Sequence, residues 1–196
     1  MPNHISNKLT FDCDTNKASE VFEKIGNRTA DDGELLIDFN TLIQYPERFA
    51  LSDQERREWE KANPKGDWNE APKDGYNQGG YEWCCKNWGT KWNAYAQKRL
   101  SEVAVYFETA WSTPEPIFSA LSAWFPEVPF TVEYADEDIG SNAGIIQYRN
   151  GKKGEEELKG VSAAKLWFKL NPDAEPKDYG YDPETFECGG DEGVED

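Results

Sequence analysis

The chain of 196 residues carries 38 acidic and 21 basic side chains, a net charge of −17, with 37% apolar and 14% aromatic residues. That charge argues against duplex nucleic acid and anionic membranes as partners, and no apolar run approaches the roughly 20 residues that span a bilayer. Length and composition predict a single domain over residues 1–170, its core built from few, large side chains, followed by an acidic, loosely ordered tail over residues 171–196.

The opening residues, MPNHISNKLTF, have no basic patch followed by an apolar block, so no secretory signal is expected and the cytoplasm is the expected compartment. Ile5, Leu9 and Phe11 fall at even spacing and predict a strand. In TNKASEVFEKIG, Thr15 is a cap, Val21, Phe22 and Ile25 share a face, and Gly26 stops a helix. ELLIDFNTLI, after the turn signal DDG, reads as a further strand. SDQERREWEKAN begins with a capping box, Ser52 to Glu55, and predicts an exposed, charged helix anchored by Trp59. Residues 63–80 form a long loop rich in Gly, Pro, Asn and Asp between two halves. YEWCCKNWG predicts a short helix closed by Gly89.

In VAVYFETAW, Val103, Val105, Phe107, Thr109 and Trp111 share one strand face. Ser112 or Thr113 then caps a helix over residues 114–125, with Ile117, Ala120, Leu121, Trp124 and Phe125 at core spacing. Phe130, Val132 and Tyr134 alternate along another strand, NAGIIQYRNGKK gives a strand ending in a turn at RNG, and VSAAKLWFKL is a strand or a short helix. Beyond Asn171, Tyr179, Tyr181 and Phe186 are the candidates for tying the tail down. Strands and helices in this order predict an α+β fold, ferredoxin-like, with helices on one face of a mostly antiparallel sheet and an irregular, partly helical insertion.

Four stretches, MPNHISNKL, WCCKNWGTKWNAY, FETAWSTPEPIFSALSAWFP and FTVEYADEDIGSNAG, together resemble the YubB-like proteins encoded by plasmids, phages and integrative elements. The resemblance runs in order over most of residues 1–146. It implies a ferredoxin-like domain and a mobile-element setting, and it implies no reaction. It also implies a strand running on from Trp92 to pair with VAVYFETAW, which places Trp83, Trp88 and Trp92 where a short helix meets the sheet.

Chemistry has few candidates. Cys13, Cys84, Cys85 and Cys188 form no C-x-x-C pair, and the sole histidine, His4, lies far from Cys84, Cys85 and Cys188 in sequence; free thiols are expected, with no cofactor and no zinc. Nucleophilic catalysis would have to rest on His4, so no enzyme activity is expected. Asp12 and Asp14 after the first strand, with Asp136, Glu137 and Asp138 after the strand at Phe130, would make a Mg²⁺ site if the two groups met at one sheet end. Between Cys84 and Arg99 the charges are all basic, and Lys86, Trp88, Lys91, Trp92, Lys98 and Arg99 would suit a single-stranded nucleic acid. The resemblance favours core packing for Trp83, Trp88 and Trp92, with a binding platform as the next reading and a redox site as the last. The favoured expectation is a non-enzymatic acidic protein that antagonises a host restriction or CRISPR protein by occupying its basic nucleic-acid surface. Its candidate contacts are Asp31, Asp32 and Glu34, then Glu55, Glu58 and Glu60, then Glu155, Glu156 and Glu157.

Overall fold

The structure, a computed structural model, describes residues 3–27 and 35–189. Among the described residues six strands form one antiparallel sheet in the order β2-β3-β1-β4-β5-β6. They are β1 (His4–Phe11), β2 (Tyr95–Ser101), β3 (Ala104–Ala110), β4 (Phe130–Asp136), β5 (Ala143–Arg149) and β6 (Lys152–Leu158). The helices are α1 (Thr15–Ile25), α2 (Phe39–Leu42), α3 (Glu47–Ala62), α4 (Gly80–Asn87), α5 (Glu115–Trp124) and α6 (Val161–Leu170). β1-α1-β2-β3-α5-β4 is the ferredoxin-like β-α-β-β-α-β unit. α2 to α4 form an insertion between α1 and β2, and the β5–β6 hairpin widens the sheet beyond β4.

Alternation along the strands divides the apolar residues between two layers. Ile5, Leu9 and Phe11 of β1, Val105 and Phe107 of β3, Phe130 and Val132 of β4 and Ile146 of β5 pack one face against α1, α2, α4 and α5. α6 covers the opposite face through Leu166, Trp167 and Leu170 over Ala135 and Ala143. A helix fits there because small side chains at Ala135 and Ala143 leave room on that face. Tyr179, Tyr181 and Phe186 return to α6, with Phe168 meeting all three rings. The Tyr181 hydroxyl donates to the Ile139 carbonyl at 2.8 Å.

Several elements differ from expectation, each for a local reason. Residues 35–43 of ELLIDFNTLI contain no strand: Leu35 makes a single bridge with Asn27. Asp38 then turns the chain into α2, its carboxylate accepting from the Asn40 amide, Asn27 Nδ2 and Asn93 Nδ2. α1 is capped by Asp14, one residue before Thr15, which accepts from the Lys17 amide at 3.0 Å. α3 starts at Glu47, after Pro46, with Phe49 as its buried anchor, and Ser52 sits within it with Oγ on the Arg48 carbonyl. On α5 the inward face runs through Ile117, Phe118, Leu121 and Phe125. Trp124, expected on that face, is the last residue of the helix and is 51% exposed. Neither Ser112 nor Thr113 caps this helix; Pro114 takes that position without a side-chain bond. VSAAKLWFKL is the helix α6, and KKGEEEL is the strand β6, reached through a turn with Asn150 and Gly151 at φ 52° and 70°, the left-handed pair of a type I′ hairpin.

Candidate binding surface

The β1–β4 register separates the two groups of carboxylates proposed to share a metal. Ile5 faces Asp136 and Phe11 faces Phe130, so Asp12 and Asp136 emerge at opposite sheet ends. Asp136 is buried and accepts from Asn3 Nδ2, Asn142 Nδ2 and the Asp138 amide, a set of bonds that shapes the β4–β5 turn. Asp12 pairs with Arg149 at 2.9 Å, and Asp14 is spent as the α1 cap. Among the described residues no group of three or more His, Cys, Asp or Glu is placed to hold a metal ion.

The tryptophan block divides. Trp88 is core: its ring packs edge-on to Phe39 and Trp83, and its Nε1 donates to the Ile43 carbonyl at 2.8 Å. Trp83 leans against the same cluster beside Tyr45. Cys84, between them on α4, is buried, and its thiol is pushed up to about 12, first by burial and then by the neighbouring Cys85 and Asp53. A thiol held so far above neutrality is a poor nucleophile.

Trp92 is half-buried and joins a row of rings at the end of the sheet where β1 begins and β3 ends. Lys91 lies over two indoles, 4.9 Å from the Trp92 ring and 4.6 Å from the Trp111 ring. Trp111 meets Tyr81 edge-on at 6.0 Å, and Tyr81 meets Tyr76 at 5.8 Å. At the other end Trp92 lies 6.3 Å from Tyr95, whose hydroxyl is 2.7 Å from His4 Nδ1. His4 in turn lies 3.4 Å from Glu108. Burial, with added repulsion from Glu108 and Glu137, pushes the Tyr95 phenol above its ordinary range and keeps it protonated. The sole histidine is thus held between a phenol and a carboxylate at the start of β1. Exposed Glu82 borders the row at Tyr81, and Glu108 and Glu137 border it at Tyr95.

Trp111, like Trp124, departs from the sequence pattern: it continues the period-two face of Val105 and Phe107 in sequence, yet it is 45% exposed, at φ 73°. A bulky residue in the left-handed region is strained and persists only where its surroundings fix it. Here they do. Buried Asn7, in the middle of β1, donates to Thr109 Oγ1 and accepts from Thr113 Oγ1. Thr109 Oγ1 donates to the Ser112 carbonyl, and Ser112 Oγ reaches the Gly89 carbonyl. Thr90 Oγ1 donates to the Ala110 carbonyl at 2.7 Å, and the Trp111 amide donates to the Asn3 carbonyl at 2.9 Å. A hydroxyl network on both sides therefore holds the backbone that turns this indole out to solvent. A polar residue at Asn7, among the inward positions of β1, was the available signal.

The six residues of the alternative nucleic-acid reading are not brought together. Lys91 and Trp92 share the row. Trp88 is buried, and exposed Lys86 lies on α4. Arg99 lies 3.6 Å over the Phe22 ring, and Lys98 faces the other way, into a cleft of about 510 Å³ beside the end of α6. That cleft also holds Lys8 and Lys169, both bonded to Glu133, whose carboxyl burial alone would raise; the hydrogen bonds from Lys169 and Lys8 outweigh burial and hold it below its ordinary range.

The acidic candidates are interleaved with bases. Asp31, Asp32 and Glu34 lie outside the described residues. On α3, Glu55 is exposed, Glu58 accepts from Gln54 at 2.8 Å and Glu60 from Arg56 at 2.6 Å, and Glu47, Asp53, Glu55, Glu58 and Glu60 face a near-equal complement in Arg48, Arg56, Arg57 and Lys61. On β6, Glu155 pairs with Lys153 and Glu157 with Lys159, while Glu156 is exposed.

Residues 87–165 match the model of a family described as the ferredoxin-like domain in Api92-like protein. The match covers β2, β3, α5, β4, β5, β6 and the first half of α6, less than half of the chain. Three of the four stretches that carried the sequence resemblance overlap it; the first, residues 1–9, lies outside. Comparison with curated proteins and with solved structures returned no match. No helix among the described residues is long and apolar enough to cross a membrane.

Proposed function

We propose that this chain is a non-enzymatic binding protein that receives a basic, arginine-bearing protein surface on the row from Tyr81 through Trp111, Lys91 and Trp92 to Tyr95. The observation that carries the reading is Trp111, held outward in a strained conformation by a buried hydroxyl network. One exposed Trp beside half-buried Trp and Tyr rings, bordered by charge, has the composition of a binding hot spot. Arginine stacks on indole faces and pairs with carboxylates, and Glu82, Glu108 and Glu137 border the rings. The net charge of −17 steers a basic partner and repels phosphate.

The resemblance to YubB-like proteins of mobile elements gives this partner a class: a host restriction or CRISPR protein whose nucleic-acid surface is covered in the complex. In this reading Glu55, Glu58 and Glu60 add long-range attraction. The alternative, a single-stranded nucleic acid lying across Lys91 and Trp92, keeps one cation of the original set in place, and phosphate contacts dominate such affinities. Capture from a nuclease-treated host lysate separates the two. The proposal expects a basic protein on the wild-type chain and none on Trp111→Gly, with the captured protein losing its own oligonucleotide binding when the chain is added. Recovery only when nucleic acid is left intact would support the alternative.

A further inference from the structure

β6 is one edge of the sheet, and residues 152–157 along it are all exposed. Their order is Lys-Lys-Gly-Glu-Glu-Glu. Charges on an edge ordinarily keep strands from pairing. Here the first five are antisymmetric about Gly154: two lysines before it, two glutamates after it. We propose that β6 pairs antiparallel with β6 of a second copy of this chain, about a two-fold axis through Gly154, joining two six-stranded sheets into one of twelve strands.

The symmetry is restrictive. A two-fold axis that continues an antiparallel sheet stands perpendicular to it, so residues opposed across the axis lie on the same face. With the axis at Gly154, Lys152 faces Glu156 and Lys153 faces Glu155, each twice. All four pairs join opposite charges, the favourable cross-strand arrangement. Centring on Lys153 opposes Lys153 to itself, and centring on Glu155 opposes Glu155 to itself, both unfavourable. One register is therefore favoured, where a flat polar edge would slip. At the axis a Cβ on Gly154 would meet nothing within 4 Å, so no group of the chain itself stands over that position. In the single chain Lys153 already holds Glu155, at 2.8 Å, and Glu115 of α5. Pairing exchanges the Glu155 contact for the same group on the second copy, so no charge is left alone. The dimer also takes Glu155 and Glu156 out of the set available to a basic partner.

Light scattering on the eluting full chain, with sedimentation equilibrium, tests this. The wild type is expected as a dimer that loosens with salt. Lys152→Glu with Lys153→Glu, and separately Glu155→Lys with Glu156→Lys, should each run as a monomer, the dissociation constant rising about tenfold or more. Mixing the two variants should restore a dimer, since every opposed pair is again of opposite sign. Circular dichroism confirms that each variant is folded, and amide exchange at residues 152–156 should be slowed in the wild type and not in either variant alone. A monomeric wild type, variants that dimerise undiminished, or a mixture that stays monomeric would each overturn the proposal.

Discussion

Replacing Trp111 with glycine and with alanine tests whether the exposed indole is held against a backbone cost. Trp111 is 45% exposed, so about half of the roughly 250 Å² of a tryptophan side chain is covered, worth about 3 kcal/mol at ~25 cal/mol per Å². Both substitutions forfeit that packing. They differ at φ 73°: alanine keeps the left-handed cost of about 1–2 kcal/mol, and glycine has none. Glycine gives back about 0.5–1 kcal/mol through its freer unfolded chain. The balance favours Trp111→Gly over Trp111→Ala by about 1 kcal/mol, the reverse of the usual order in a strand. In a chain of this size that is about 2–4 °C in melting temperature. Thermal denaturation of the two variants side by side reads it directly. An alanine variant more stable than the glycine variant would refute the claim that this position is conformationally strained.

Other expectations concern the neighbouring groups. Trp88→Ala should cost about 3–5 kcal/mol, as core tryptophans do, whereas Trp92→Ala should cost far less; equal losses in denaturant melts would undo the division of the block into core and surface. Glu133→Gln should destabilise most at neutral pH. The Glu133 carboxyl is held below its ordinary range in the fold, so its contribution is present above its unfolded value and is lost as pH falls through the folded one. The penalty should shrink in acid, and a penalty independent of pH would contradict the role of Lys8 and Lys169. With a thiol-alkylating reagent, exposed Cys188 should react in the native state and buried Cys84 only on unfolding; native labelling of Cys84, read by peptide mass, would show that α4 opens.

Much of the fold was legible because period-two patterns bury one face. Val105 and Phe107, then Phe130 and Val132, read as strands and are strands. β6 escaped because an edge strand exposed on both faces has no apolar alternation to detect. α2 escaped because Asp38 draws its turn from Asn27 and Asn93, the latter 55 residues away. The same distance problem governs the tryptophans. Nothing in YEWCCKNWGTKWNAY separates Trp88 from Trp92, since the groups that bury Trp88 are Phe39, Ile43 and Tyr45. Trp111 continued a strand pattern whose last step the Thr109–Ser112 bond turns outward. The acidic surface was legible as a total charge and not as an arrangement, because ion pairs such as Arg56–Glu60 and Lys153–Glu155 cancel it locally.

The central claim is that the ring row receives a basic protein surface and not a nucleic acid. Tryptophan fluorescence of the purified chain, titrated at low salt with an arginine-rich peptide and separately with a single-stranded oligonucleotide, tests it most directly. The account predicts that the peptide saturates the signal, that salt weakens it, since surface charges are screened over about 8–10 Å near physiological ionic strength, and that Trp111→Gly abolishes it while the oligonucleotide has no effect. Saturation by the oligonucleotide with no response to the peptide would contradict it.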